Sequence, residues 1–170
     1  MNDPHYILLP ANPLFIALSL VAAFLLNLLP WGQWVGVPDF VALVLVFWAI
    51  HEPRKIGISI AFMMGLLMDV NEATLLGENA LAYTLLSYFS IMIHRRVLWF
   101  PVGTQALHIL PLLLLTQAVQ LLVRLIVSGK FPHWYYFSES FVCALLWPVV
   151  AWLLLAPQRR AINRDDNRPI

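Results

Sequence analysis

Charged residues are scarce in this chain. Only 11% of its 170 residues are charged and 61% are hydrophobic. An ordinary soluble domain carries about 25% charged and about 45–50% apolar residues. That imbalance excludes a water-soluble core and points to an integral membrane protein. There is one cysteine, Cys143, so an intrachain disulfide is excluded, and the residue reads as a small buried or lipid-facing hydrophobe. Met1 to Asn12 contains no Lys or Arg. The basic n-region of a cleavable signal is therefore missing, and the first apolar run is expected to remain as a membrane helix. His51, His94, His108 and His133 are scattered without ligand spacing, which supports no metal site. Gly-rich phosphate loops, nucleophile elbows and basic-aromatic patches are lacking too. No cofactor and no nucleic-acid partner are expected.

What is present is a series of apolar runs. A membrane-crossing helix needs about 20 apolar residues, with a range of about 17–25. Six runs qualify or come near: Pro13–Pro30, Val37–Ile50, Ile56–Val70, Asn79–Ile93, Val102–Val127 and Glu139–Ala156. The second and third are short for full crossings. The expected fold class is an all-α integral membrane protein, a compact bundle of six transmembrane helices. Residues 1–157 form the transmembrane domain and residues 158–170 a basic polar tail.

Placing both termini in the cytoplasm puts Arg54, Lys55, Arg95, Arg96, Arg159, Arg160, Arg164 and Arg168 on the inner side. That is eight of the ten basic residues, as the positive-inside rule favours. Trp31 and Trp34 then mark the outer interface, as do Trp134, Tyr135 and Tyr136, while Trp99 and Phe100 mark the inner one. "FPHWYYFSES" is the most aromatic exposed segment. It is a contact candidate or a plain interfacial belt.

The stretch "GLLMDVNEATLLGENALAYTLL" places Asp69, Glu72 and Glu78 near the outer face with no basic residue among them. Glu72 and Glu78 read as ordinary loop acids. Asp69 lies roughly 20 Å along its helix from the inner end, where an intramembrane carboxylate needs a partner or a wet cavity. Three readings stay open: an interfacial helix end, a structural partner, or direct chemistry. The cheapest is structural. "GENAL" is a turn at Gly77 followed by a helix start with Asn79 as N-cap, and Asp69 caps its exposed N–H groups. Asp39 follows Pro38 and reads as an acid at the positive end of a helix; it is expected at the same depth as Asp69. Gln117, Gln120 and Arg124 fall on one helical stripe that should face neighbouring helices. Arg124 either snorkels to the headgroups or bridges to Asp69. Gly57, Ala61 and Gly65 form a small-residue ridge suited to close packing. Pro148 is expected to kink the sixth helix.

Taken together, "VPDFVALVLVFWAIHEPRKIG", "AFMMGLLMDV", "LLGENALAYTLLSY", the following "HRR", and "LLWPVVAWLLL" resemble the MreD family of the bacterial rod-shape machinery. The resemblance runs from about Pro38 to Arg160. Its characteristic positions here are Pro38, Asp39, Gly65, Asp69, Gly77, Asn79, Ala80 and Leu81. The resemblance implies a role without a reaction: a non-enzymatic scaffold of the cytoplasmic (inner) membrane, involved in cell shape and lateral peptidoglycan synthesis. It implies direct association with MreC, and MreB, RodA and a class B penicillin-binding transpeptidase in the same complex, with membrane lipid around it. It also implies a six-helix core like the substrate-binding subunits of energy-coupling-factor transporters. The rival reading is a small-solute-binding subunit of a transporter, with Asn27, Gln117, Gln120 and His108 as the available lining.

Overall fold

The computed structural model describes residues 6–8, 11–30, 36–129 and 134–161. The described residues form six α-helices and a short two-stranded ribbon. The helices are α1 (Pro13–Asn27), α2 (Phe40–His51), α3 (Ile58–Asn71), α4 (Glu78–Leu98), α5 (Val102–Ser128) and α6 (Ser138–Leu155), with a 3-10 turn at Trp134–Phe137 before α6. The connections 52–57, 72–77 and 99–101 are short, so consecutive helices run antiparallel. α4 packs on α2, α3 and α5; α6 packs on α5 and α2; α1 leans on α2.

Every residue from Val41 to Ile50 is buried, so α2 is apolar all round and serves as the bundle's axis. Its twelve residues span only about 18 Å, well short of a hydrocarbon core about 30 Å thick. By length and composition, two helical stretches suffice to cross a membrane, Val102–Val127 and Ser138–Gln158. The described residues thus form the six expected helices, two of which have the length and composition to cross a membrane. α1, α2 and α3 stop short because Asn27, Asp39 and Asn71 interrupt the apolar runs. α4 is long enough but carries His94, Arg95 and Arg96 near its C-terminal end.

The exterior is as apolar as the core. Leu14, Leu18, Met63, Leu107, Ile126 and Leu145 are exposed, whereas Asp69, Glu78, Asn79, Gln117 and Gln120 are buried. A soluble protein distributes these residue types the other way.

The basic end is closed by the chain termini. β1 (Tyr6–Leu8) pairs antiparallel with β2 (Arg159–Ala161), which brings the start and end of the described chain together. Of the polar tail expected from residue 158, Gln158 is buried at the end of a 3-10 turn and Arg159–Ala161 form the strand, while residues 162–170 lie outside the described part. Beside the ribbon, the turn after α2 clasps Ala11. The Ala11 N–H donates to Glu52 Oε1 (3.1 Å) and its carbonyl accepts from Lys55 Nζ (2.6 Å). Trp31, Trp34, Lys130, His133, Arg164 and Arg168 are also outside the described residues.

Candidate functional site: the polar end of the bundle

Five helices and Asp39, the N-cap of α2, contribute polar residues to the end opposite the termini. The organising group is Asp69, 1% exposed in the last turn of α3. Its Oδ2 accepts from the Gly77 N–H (2.8 Å) and its Oδ1 from the Asn79 N–H (2.7 Å). Longer contacts run from Ala80 N and Thr74 Oγ1, both 3.4 Å. The N–H groups that open a helix have no intrahelical acceptor, and a carboxylate there also meets the positive end of the dipole. Asp69 thus caps α4 from a neighbouring helix.

Gly65 makes that reach feasible. A Cβ on Gly65 would sit 2.3 Å from Ala80 Cα and 2.6 Å from Ala80 N and Asn79 O. Only a glycine lets the α3 backbone approach the first turn of α4 so closely. Gly77, at φ 102°, turns the chain into α4 in the left-handed region where L side chains are strained. It is also the N-cap. This corrects the expectation for Asn79, which lies inside the first turn, where its side chain is free to bridge. Asn79 Nδ2 donates to Glu72 (3.3 Å) and its Oδ1 accepts from Gln120 Nε2 (2.6 Å). Gly57 has no close neighbour within the bundle. A Cβ there would meet nothing within 4 Å, so the tight part of the ridge is Ala61 and Gly65.

Arg124 pairs with Glu78, not Asp69. Asp69 is already saturated by N–H donors, whereas Glu78, at the first position of α4 and 1% exposed, has a carboxylate to offer. Glu78 is therefore a buried ion-pair partner and no loop acid. Arg124 also lies over the Tyr136 ring, 5.7 Å from its centroid. Tyr136 Oη donates to Gln120 Oε1 (3.0 Å), which ties the aromatic segment into the bundle. Gln117 donates to Glu139 (3.1 Å) and to the Tyr136 carbonyl (3.2 Å), and accepts from Ser140 Oγ (2.5 Å). The stripe on α5 thus faces its neighbours.

Asp39 caps α2. It accepts from Ala42 N (3.0 Å) and Asn27 Nδ2 (2.9 Å), and from the Tyr83 hydroxyl on α4. Asn27 returns the favour at the same turn, accepting from Phe40 N (3.1 Å). Pro38 precedes the cap and lies outside the helix. Asp39 and Asp69 hold separate sets of donors and do not act as a pair. His108 stacks on Phe100 and bonds the Thr104 carbonyl near the start of α5, far along the helix from Gln120.

A small open cavity of about 190 Å³ remains among Asn27, Asp39, Glu72, Gln120, Arg124 and Glu139. Sequence reasoning missed Tyr83, Glu78, Glu139 and Ser140 as members of this cluster. Glu78 and Glu139 carry a usable signal, an acid in the first turn of a helix. Tyr83 carries none, because its role depends on the docking of α4 against α2.

The geometry defines a class: a helical bundle with an apolar exterior, whose buried polar groups bond to one another and fix helix ends. The comparisons specify it further. The model of the family described as rod shape-determining protein MreD matches residues 11–156. The "Rod shape-determining protein MreD" of Haemophilus influenzae is 30% identical over 149 residues, covering 84% of this chain and 89% of that protein. The chain belongs to the MreD family, a family of shape-determining structural proteins. No solved structure matches it.

Proposed function

We propose that this chain is a non-enzymatic scaffold of the bacterial cytoplasmic membrane, holding parts of the rod-shape (elongation) complex in place. The supporting observation is the inverted partition of side chains. Leucine, isoleucine and phenylalanine cover the outside, while Asp69, Glu78, Asn79 and Gln120 are buried and find their partners inside the bundle, Glu78 on Arg124 and the other three on one another. Such a surface is suited to lipid and to the helices of other membrane proteins. In this reading all six helices lie in the bilayer, both termini are cytoplasmic, and the short helices reach the interface through their polar ends. The bundle would then resemble the binding subunits of energy-coupling-factor transporters.

MreC is the direct partner in this reading. MreB, RodA and a class B penicillin-binding transpeptidase belong to the same complex, through which the chain serves lateral peptidoglycan synthesis. Partner helices would use the exposed faces of α1, α5 and α6. The test is co-purification in mild detergent. MreC should elute with the wild-type chain and be lost when an exposed face, such as Leu145 with Val149, is changed to polar residues. Retention of MreC by every exposed-face variant contradicts the reading.

The polar cavity beside Asp39 and Gln120 favours a second reading, a small-solute-binding subunit of a transporter. Depletion separates the two: the scaffold predicts rounded cells, the transporter a lost nutrient uptake with normal shape.

A further inference from the structure

The open cavity of about 190 Å³ at the polar end is walled by side chains whose polar atoms are mostly in use. Asn27 donates to Asp39 and accepts from Phe40 N. Both Asp39 oxygens are engaged, one by Asn27 and Ala42 N and the other by the Tyr83 hydroxyl. Gln120 donates to Asn79 and accepts from Tyr136 Oη, so both of its ends are taken. These groups form the wall and have little left to offer a ligand.

Three lining groups differ. Glu72 uses only Oε2, with Asn79, and Glu139 only Oε2, with Gln117. The Oε1 atom of each has no partner among the described residues. Arg124 meets Glu78 through Nε. Both terminal nitrogens of its five-donor guanidinium are left without a partner among the described residues. The cavity therefore presents two open carboxylate oxygens and one open guanidinium edge.

Charge and size define an occupant. Asp39, Glu72 and Glu139 all line the cavity, and the lining cation, Arg124, is already neutralised by Glu78. A cleft with an excess of one sign concentrates ions of the other. A lone anion is thus repelled, and an ammonium is drawn to the two glutamates. The terminal nitrogens of Arg124 suit an oxyanion that arrives joined to that ammonium. The volume corresponds to roughly six waters, which suits a group of about six to eight non-hydrogen atoms.

We infer that this cavity binds a small zwitterion, its ammonium on Glu72 and Glu139 and its oxyanion on Arg124. Two sources carry that chemistry: a free amino acid and the phosphoethanolamine headgroup of a lipid. The inference goes beyond the scaffold reading and does not depend on it, since binding requires no uptake.

The test uses the full chain purified in mild detergent, with binding read by saturation-transfer NMR. The probes are alanine, glycerophosphoethanolamine, ethylamine and propionate at equal concentration. At least one of the two zwitterions should bind. Ethylamine and propionate should bind at least about tenfold more weakly, because each lacks one charge-assisted contact. Binding of alanine alone assigns a free amino acid, and binding of glycerophosphoethanolamine alone a headgroup; binding of both assigns the shared group.

Glu72→Gln with Glu139→Gln removes two charges yet keeps an acceptor for Asn79 and for Gln117. It should keep the wild-type unfolding temperature and weaken binding about tenfold or more. Val37→Trp fills the cavity from a half-buried lining position without touching a charge, and it should abolish binding. Failure of both zwitterions to bind, ethylamine binding as tightly as either of them, or binding unchanged in Val37→Trp overturns the inference. None of these results bears on co-purification of MreC, so the scaffold reading stands or falls separately.

Discussion

Replacing Asp69 separates a capping carboxylate from a catalytic or merely interfacial one. Both oxygens are in use: Oδ2 takes the Gly77 N–H at 2.8 Å and Oδ1 the Asn79 N–H at 2.7 Å. Bonds to a charged acceptor contribute about 1.5–3 kcal/mol each. Asp69→Leu removes both and strands two donors at a helix start where Asn79 and Ala80 are buried, a loss of about 3–6 kcal/mol. Asp69→Asn keeps one acceptor and turns an NH₂ group toward the other N–H. It should lose roughly half as much, about 1.5–3 kcal/mol, and is not a silent change. Asp69→Glu keeps the charge but must fit a longer side chain where Gly65 already holds α3 against α4. The assay is the unfolding midpoint of each variant in one detergent, with accumulation in membranes as a second readout. The order wild type, Asn, Leu is predicted. Asn indistinguishable from wild type, or Leu no worse than Asn, refutes the capping argument.

Gly65→Ala should destabilise by about 1–3 kcal/mol, because its new Cβ meets backbone that cannot move aside; Gly57→Ala should lie within about 0.5 kcal/mol of wild type by the same unfolding measurement. Arg124→Glu or Glu78→Arg alone buries an unpaired charge and should cost about 3–5 kcal/mol. The double exchange should recover part of that, and strictly additive losses in the cycle would rule out the pair. Gln120→Leu cuts the link between Asn79 and Tyr136 and strands both groups, with an expected loss of about 1–3 kcal/mol in thermal unfolding.

Much of the helical layout is legible from apolar runs and their punctuation. The expected Val102–Val127 is observed as Val102–Ser128, and the expected Glu139–Ala156 as Ser138–Leu155. Helix ends marked by residues with local chemistry are legible too. Asp39 caps α2 from within its own turn, and Gly77 adopts the positive φ that its residue type allows. Errors arise where distance along the chain is large. Arg124 and Glu78 are 46 positions apart, and Tyr83 and Asp39 are 44 apart. No period or spacing encodes such a pairing; it exists once α4 is docked. The ribbon between Tyr6–Leu8 and Arg159–Ala161 escapes the sequence for the same reason, its strands being three residues long and at opposite ends of the chain. The shortness of the second run is legible in the sequence as well. An apolar run such as Val37–Ile50 loses its first residues to the Pro38–Asp39 cap, leaving α2 too short to cross alone.

The central claim is that this MreD-family chain serves shape and not uptake or catalysis. The direct measurement is the length-to-width ratio of rod-shaped cells depleted of the chain and then supplied with variants. Wild type should restore rods, and so should Arg124→Glu combined with Glu78→Arg if it accumulates in the membrane. Rods that persist after depletion, with one nutrient no longer taken up, would contradict the account.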